Sequence, residues 1–153
     1  FLVRALRAEG REAWGIDHSA YAIAHADEAA RPYLTCATLE TLMFTDDYDM
    51  VLAFEVLEHL MSSQIVQTLS RLHASARKGI FATIPTPDMV HKQAWREAQE
   101  EPSHVTLMPR AWWYEMFMRT GWSATPFYEL AERFAMGHPV ACAVGYNVFL
   151  RGV

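Results

Sequence analysis

The strongest constraint on the fold is a pair of continuous apolar runs, Tyr48–Phe54 and 79–84, separated by a long helical pattern. Each run has the length of a strand, and an apolar run without alternation is typical of a strand covered on both faces. The chain between them places apolar side chains on one helical stripe, which contains Ile65, Val66, Leu69 and Leu72. A strand, a helix and a strand in this order predict a right-handed crossover and parallel pairing.

Weaker patterns extend this alternation along the chain. They predict helices over 1–10, 19–30, 63–76 and 109–120, with Gly10 as a C-cap of the first and Ser19 able to cap the second. They also predict strands over 12–17, 33–37, 122–130 and 141–150. The predicted fold class is therefore α/β, with a doubly wound, mostly parallel Rossmann-like sheet and an antiparallel pair of C-terminal strands. We expect one domain over residues 1–153, in which the polar stretch 85–108 is an insertion or lid on the substrate side.

Composition and charge argue against several classes of function. The chain has 153 residues, 52% of them hydrophobic and 20% charged, as in globular domains. Thirteen basic against eighteen acidic residues give a net charge of −5, so we expect no extended nucleic-acid surface. No apolar run approaches the roughly 20 residues that span a bilayer, and Cys36 and Cys142 form no Cys-x-x-Cys motif. We expect a cytoplasmic protein with reduced thiols and no membrane partner.

The most specific motif follows the first apolar run, where Glu55, Glu58 and His59 stand at positions i, i+3 and i+4. If the chain turns helical at Glu55, one helical face presents all three side chains. Carboxylate oxygens admit magnesium or manganese, and the imidazole favours manganese, iron or zinc. The motif therefore suits a divalent ion, with His104 as a candidate fourth ligand.

Other interpretations of this motif stay open. The helix dipole favours acidic residues in a first turn, so the motif is also compatible with a structural role or with a pocket that holds no metal. In such a pocket, His59 or His104 is a candidate general base, because an imidazole titrates near neutral pH.

A second candidate site lies where the strand predicted over 12–17 ends, since Asp17 is followed there by His18 and Ser19. In an open parallel sheet, ligands bind beyond the carboxyl ends of the strands, and an acid at that place can accept hydrogen bonds from both hydroxyls of a ribose. The alternative is that Asp17 caps the next helix or faces solvent as a loop acid.

Several segments in a fixed order carry a resemblance to a known family. They are Gly15-Ile-Asp-His-Ser19, Tyr48-Asp-Met-Val-Leu-Ala-Phe-Glu-Val-Leu-Glu-His-Leu60, Gly79-Ile-Phe-Ala-Thr-Ile-Pro85, His104-Val105 and Thr120-Gly-Trp122. In this order they resemble the class I S-adenosylmethionine-dependent methyltransferases over nearly the whole chain. The family's first strand and its glycine-rich loop are missing from the sequence, and we expect them immediately upstream of Phe1.

The resemblance implies S-adenosyl-L-methionine as the cofactor and assigns residues to it. Asp17 would bind the ribose, and His18 and Ser19 would border the ribose or the adenine. Thr38 stands where the family often has an aspartate that contacts the adenine amino group. The backbone of Thr38 and Leu39 would line the same pocket.

The resemblance also concerns the end of the strand at 48–54. The backbone carbonyl of Phe54 would accept the ammonium group of the cofactor. The quartet Glu55, Glu58, His59 and His104 resembles the metal site of small-RNA terminal ribose methyltransferases and of ubiquinone-pathway O-methyltransferases. In those enzymes the metal orients an acceptor hydroxyl and lowers its pKa.

Aromatic residues after the second apolar run are candidates for the wall of the acceptor site. The family varies in this segment with its substrate, and we assign His91, Trp95, Trp112 and Trp113 to the acceptor. The helical spacing of the aromatic residues is equally compatible with core packing or a subunit contact. A homodimer is therefore a further expectation.

Together these patterns predict an S-adenosylmethionine-dependent methyltransferase that acts on an oxygen of a small molecule or sugar-like acceptor. One alternative is a metal-dependent ribose methyltransferase that acts on RNA ends, since a single terminal nucleotide needs no extended basic surface. The other is a non-catalytic domain that keeps the methyltransferase fold as an interaction module.

Overall fold

The computed structural model describes residues 1–41, 48–87, 92–124 and 145–151. By their internal contacts the residues divide into two compact units, Phe1–Met43 and Phe44–Val153. None of the helices in the described ranges combines the length and the apolar character that crossing a bilayer requires.

The first unit is a small parallel pair of strands with short helices. Its elements are α1 (Leu2–Ala8), β1 (Gly15–Asp17), α2 (Ala20–Ala24), a 3-10 turn (Arg31–Tyr33) and β2 (Leu34–Cys36). Strands β1 and β2 pair in parallel, with Asp17 opposite Cys36. Helix α1 is followed at Gly10 by a left-handed residue with φ +73°, as the sequence predicts for a glycine C-cap.

Arg7 connects three segments of the first unit. Its guanidinium lies 3.2 Å from the ring centre of Tyr33 and 5.0 Å from that of Trp14. Its Nε donates a hydrogen bond of 2.9 Å to the carbonyl of Ala13. Helix α1 is thereby held against the chain on both sides of β1, mainly through one cation and two aromatic rings.

The second unit contains a four-stranded sheet and three helices. In chain order these are β3 (Tyr48–Phe54), α3 (Ser62–Ser75), β4 (Ala76–Ile84), α4 (Lys92–Glu100), α5 (Arg110–Arg119), β5 (Trp122–Ala124) and β6 (Gly145–Arg151). The strand order is β3-β4-β6-β5. Strands β3 and β4 are parallel, whereas β6 runs antiparallel to both β4 and β5.

The core of this unit lies between the sheet and helices α3 and α5. Its buried members are Ala53, Leu57, Ile65, Leu69, Leu72, Ala76, Ile80, Ala82, Ile84, Trp113, Met116, Phe117 and Trp122. The indole Nε1 of Trp122 donates to the carbonyl of Leu69 at 3.2 Å, so that this buried donor is satisfied. The apolar stripe predicted for α3 supplies Ile65, Leu69 and Leu72, but Val66 is exposed.

The structure confirms the α/β class, the parallel pairing of the two apolar runs and the antiparallel C-terminal strands. The prediction that β3 is covered on both faces is wrong for the described residues. Met50, Leu52 and Phe54 are 39–40% exposed, and only Ala53 of this strand is buried. Among the described strands β3 pairs with β4 alone, so it is an edge of its sheet.

Two predicted helices are much shorter than expected. The helix predicted over 19–30 is only Ala20–Ala24, and the carboxylate of Asp27 then accepts from the Ala29 amide at 2.9 Å in a local turn. The helix expected from Glu55 is a single 3-10 turn over Leu57–His59. The cause is the backbone of Glu55, which has φ +51° and donates to the carbonyl of Thr83 at 3.1 Å, so the sheet pairing continues one residue further.

Candidate functional site

The end of β1 forms a compact turn made of Asp17, His18 and Ser19, called the Asp17 turn below. Oδ1 of Asp17 accepts from the amide of Ser19 at 2.8 Å, and Oγ of Ser19 accepts from the amide of Ala22 at 3.1 Å. Ser19 is therefore the N-cap of α2, as predicted. The imidazole Nδ1 of His18 lies 3.8 Å from Oδ1 of Asp17, and its side chain is 83% exposed.

The carboxylate of Asp17 takes part in this turn and is partly exposed. One carboxylate oxygen supports the turn, and the described residues make no hydrogen bond to the other. The side chain is 47% exposed at the carboxyl end of a parallel strand. The Asp17 turn therefore presents a free acceptor where α/β sheets bind ligands.

Thr38 and Leu39 follow β2. Thr38 is exposed and forms a turn with Thr41, in which the two hydroxyl oxygens lie 3.1 Å apart. Leu39 is half-buried. The structure places both residues just beyond the carboxyl end of β2, the strand that pairs with β1, and their contacts with a cofactor stay a prediction.

The end of β3 in the second unit is fixed by a threonine of β4. The amide of Glu55 donates to both the carbonyl and the hydroxyl oxygen of Thr83, each at 3.1 Å. The ring of Phe54 is 40% exposed and packs edge-on against Phe81 at 5.5 Å. These two bonds to Thr83 hold Glu55, whose backbone is left-handed, and the chain then turns towards Glu58 and His59.

Glu58, His59 and His104 form the acid–histidine cluster. Oε1 of Glu58 lies 3.9 Å from Nε2 of His59 and 3.9 Å from Nε2 of His104. One ligand atom from each residue lies within 4.8 Å of the other two. The carboxyl of Glu58 is fully buried, and the side chains of His104 and His59 are 10% and 37% exposed. The cluster is thus open to solvent on the His59 side.

Burial dominates the electrostatics of Glu58. It raises the pKa of this carboxyl from 4.5 to about 8, and the nearby carboxylate of Glu55 adds to the rise. Neither carboxyl oxygen of Glu58 accepts a hydrogen bond from the described residues. A buried acid without donors is costly for a fold, and such groups are concentrated at functional sites.

Backbone carbonyls fix the orientation of both imidazoles. Nδ1 of His59 lies 3.1 Å from the carbonyl oxygen of Ser103, and Nδ1 of His104 lies 2.8 Å from that of Ala98. Because a carbonyl oxygen only accepts, Nδ1 carries the proton in each neutral ring, and the lone pair is on Nε2. Both lone pairs are therefore on the atoms nearest Oε1 of Glu58.

Three acceptor atoms that converge in this way need a proton or a cation between them. The raised pKa of Glu58 provides the proton near neutral pH. Two imidazole nitrogens whose other nitrogens are anchored, together with a carboxylate, are also a donor set that fits a divalent metal. The unpartnered oxygens of Glu58 support this fit.

The structure changes the predicted quartet to a trio. Glu55 does not belong to the cluster of potential ligand atoms formed by Glu58, His59 and His104. The prediction placed Glu55 and Glu58 on one helical face, whereas the left-handed backbone at Glu55 interrupts any helix at that position. Glu55 is an exposed residue whose carboxylate acts on the cluster through its charge.

The predicted acceptor residues lie in different environments. Trp113 is fully buried in the core, so it has no surface that an acceptor would contact. Trp112 is half-buried and packs edge-on against Trp113 at 5.0 Å, and Trp95 of α4 is half-buried. His91 lies outside the described residues.

The sequence did not point to Thr83, Ser103 or Thr106, which hold the parts of the site together. Thr83 anchors Glu55, Ser103 anchors His59, and the hydroxyl of Thr106 donates to the carbonyl of Leu60 at 2.6 Å. Each bond joins segments distant in the chain. Ser103 contributes only its backbone carbonyl, and neither a backbone group nor a single threonine forms a sequence pattern that indicates such a partner.

Residues 1–83 match a family model described as a methyltransferase domain. This match covers the first unit and the second unit as far as Thr83, including the Asp17 turn and two members of the acid–histidine cluster. No curated protein matches the sequence significantly.

Solved structures show the same fold at low identity. Magnesium protoporphyrin IX methyltransferase from Synechocystis PCC 6803, with bound S-adenosylhomocysteine, is 17% identical with a TM-score of 0.67, and the match covers 99% of this chain and 68% of that one. A SAM-dependent methyltransferase from Archaeoglobus fulgidus is 18% identical with a TM-score of 0.65, over 80% and 56% of the two chains. The [4+2]-cyclase SpnF is 16% identical with a TM-score of 0.61, over 95% and 68%. The same fold therefore occurs in proteins named for different reactions.

Proposed function

Because the chain belongs to the methyltransferase domain family, whose model matches its residues 1–83, we propose that it transfers a methyl group from S-adenosyl-L-methionine to an oxygen of a small-molecule or sugar-like acceptor. The observation that carries the oxygen acceptor is the acid–histidine cluster. It supplies two imidazole nitrogens with free lone pairs, one of them on a partly exposed ring. Such a nitrogen can take the proton of an acceptor hydroxyl.

The first unit would hold the cofactor. The free carboxylate oxygen of Asp17 would accept from the ribose hydroxyls, with His18 and Ser19 at its border. Thr38 and Leu39 would line the adenine side. The carbonyl of Phe54 as an acceptor for the ammonium group stays a prediction from the family resemblance. The exposure of Asp17 supports its part, because it is compatible with a ligand-binding role at a strand end.

Methyl transfer is an in-line displacement at the carbon bound to the sulfonium. The acceptor oxygen forms the new bond to that carbon, the carbon–sulfur bond breaks, and its electron pair stays on sulfur, which leaves as the neutral thioether of S-adenosylhomocysteine. The hydroxyl proton goes to an imidazole Nε2. His59 is the better base by exposure, since 37% of its side chain is accessible against 10% for His104. Where Glu58 is ionised, its carboxylate, 3.9 Å from Nε2 of His59, would then stabilise the charged imidazole.

A divalent ion at the acid–histidine cluster is the second candidate for activating the hydroxyl. Glu58, His59 and His104 would hold it, and Glu55 would add negative charge nearby. When bound, the ion would orient the hydroxyl and lower its pKa. Two nitrogens and one oxygen favour manganese over magnesium. This variant also allows the terminal ribose of an RNA as the acceptor, because one nucleotide needs no extended basic surface.

The cofactor part is tested by calorimetric titration of S-adenosylhomocysteine into this chain and into the longest natural form of the protein. We expect binding that Asp17→Ala weakens roughly 10- to 100-fold, since hydrogen bonds to a charged group contribute about 1.5–3 kcal/mol. Glu28→Ala, which removes another exposed acid of the first unit, is the matched control. Equal losses in both variants would contradict the assignment of Asp17.

The acceptor part is tested next by methyl transfer to a panel of hydroxylated metabolites and to an RNA terminus, with manganese or with a chelator. Activity that survives the chelator supports His59 as the base, and activity that requires manganese supports the metal. Absence of cofactor binding in both protein samples would favour the interaction module instead. A cytoplasmic location, a homodimer and the lid role of 85–108 stay predictions.

A further inference from the structure

A hydrogen-bonded clamp joins the segment that carries His104 to the turn that carries Glu58 and His59. The amides of Val105 and Thr106 both donate to the carbonyl of Glu58, each at 3.0 Å. The hydroxyl of Thr106 donates to the carbonyl of Leu60 at 2.6 Å, across 46 positions of sequence. Three donors from two adjacent residues thus hold the carbonyls of Glu58 and Leu60, on either side of His59.

The clamp also sets the state of both imidazoles. The carbonyl of Ser103, three residues before Thr106, anchors Nδ1 of His59. His104 lies between Ser103 and the clamp, with its own Nδ1 on the carbonyl of Ala98. The position of this short segment therefore decides whether each Nε2 has a lone pair near Glu58.

We propose that Thr106 is a positioning residue that keeps His59 and His104 in the Nδ1–H tautomer with both Nε2 atoms near Glu58. It acts through the backbone and touches no substrate. The proposal rests on the proposed function, because the two Nε2 atoms are the groups assigned there to activate the acceptor hydroxyl. The residue is only 3% exposed, so its hydroxyl must have an internal partner.

A role limited to satisfying a buried hydroxyl would not require this long-range partner. Thr120, the half-buried C-cap of α5, shows a local solution, since its hydroxyl donates to the carbonyls of Met116 and Phe117 in the last turn of that helix at 3.0 and 2.9 Å. Thr106 lies outside the helices and bonds to the residue that follows His59. The same substitution at the two threonines therefore separates the clamp from general loss of a hydroxyl.

The test is nitrogen-detected NMR of the histidine side chains in the full chain, recorded with a chelator at a pH where the imidazoles are neutral. His59→Gln and His104→Gln assign the two rings. We expect both rings in the wild-type protein to show a protonated Nδ1 and a bare Nε2. In Thr106→Val we expect loss of this pure state in both rings, with Nε2 signals moved towards the protonated position, and in Thr106→Ser we expect the wild-type pattern.

Thr120→Val is the control, and it should leave both histidine patterns unchanged. The proposal is overturned if Thr106→Val keeps the wild-type pattern, because the hydroxyl is then not needed. It is also overturned if Thr106→Ser, which keeps the hydroxyl, fails as Thr106→Val does, because the hydroxyl then does not account for the pattern. Should Thr106→Val not fold, the wild-type tautomers and Thr106→Ser still decide, since a wild-type ring with its proton on Nε2 also overturns it. These readings need no cofactor or acceptor, so they are independent of whether methyl transfer is found.

Discussion

The Asp17 turn and the acid–histidine cluster are built in opposite ways. In the Asp17 turn the defining hydrogen bonds join residues two and three positions apart, and Asp17 and His18 are exposed. Around the cluster, the bond from His59 to Ser103 spans 44 positions and the bond from Thr106 to Leu60 spans 46, and the acid at its centre is fully buried. A local turn exposes its acceptor at little cost. In the buried cluster, by contrast, burial opposes the ionised state of Glu58.

The largest effect should come from the protonation of Glu58. With its pKa raised from 4.5 to about 8, the folded state keeps a proton that the unfolded state loses. Below pH 4.5 both states are protonated and the burial costs little. As the pH rises towards about 8, the free energy of unfolding should fall by about 1.4 kcal/mol per pH unit.

Urea unfolding of the wild-type chain and Glu58→Gln across this pH window, with a chelator present, measures this effect. The amide of the variant is neutral at every pH. The free energy of unfolding of Glu58→Gln should therefore rise relative to that of the wild-type chain as the pH rises. Parallel curves for the two proteins would show that Glu58 ionises normally, and the contrast between the two regions would then lose its electrostatic basis.

The second effect concerns the cation that would replace the proton. A metal that binds the folded chain at one hundred times its dissociation constant stabilises it by about 2.7 kcal/mol. We expect manganese to raise the melting temperature of the wild-type chain and of Glu55→Gln, but not of Glu58→Gln. A response lost equally in both variants would restore Glu55 as a ligand and contradict the trio found in the structure.

The same contrast explains how much the sequence could predict. Four predicted features depend on neighbours in sequence, and the structure confirms them. They are Ser19 as a cap, Asp17 at a strand end, the glycine C-cap of α1 and the stripe of α3 except for Val66, which is exposed. The motif also predicted that His104 lies near Glu58 and His59. It did not predict the distances between these side chains or the orientation of the two rings. The left-handed backbone at Glu55 is supported by Thr83, which stands 28 positions away, and no local pattern encodes that bond.

The exposure of β3 shows that burial is also hard to predict from the sequence. Its continuous apolar sequence predicted cover on both faces, and the prediction used only the strand's own residues. Cover depends on which elements pack against a strand, and Met50, Leu52 and Phe54 lie exposed on an edge. Trp113 and Trp112 make the same point, because adjacent tryptophans with equal chemistry are fully buried and half-buried.

The smallest effect should come from the local region. Ser19→Ala removes the bond from the Ala22 amide to Oγ and should cost about 1 kcal/mol of helix stability. Faster hydrogen exchange at Ala22 measures it, and Ser19→Thr, which keeps a capping oxygen, should restore protection. The amide of Ser19 still donates to Asp17 in both variants, so the turn itself should persist. Because none of the hydrogen bonds among the described residues of the cluster involves Ser19, the pH dependence assigned to Glu58 should be unchanged in Ser19→Ala. A changed pH dependence would mean that the two regions are energetically coupled despite their separate hydrogen-bond networks.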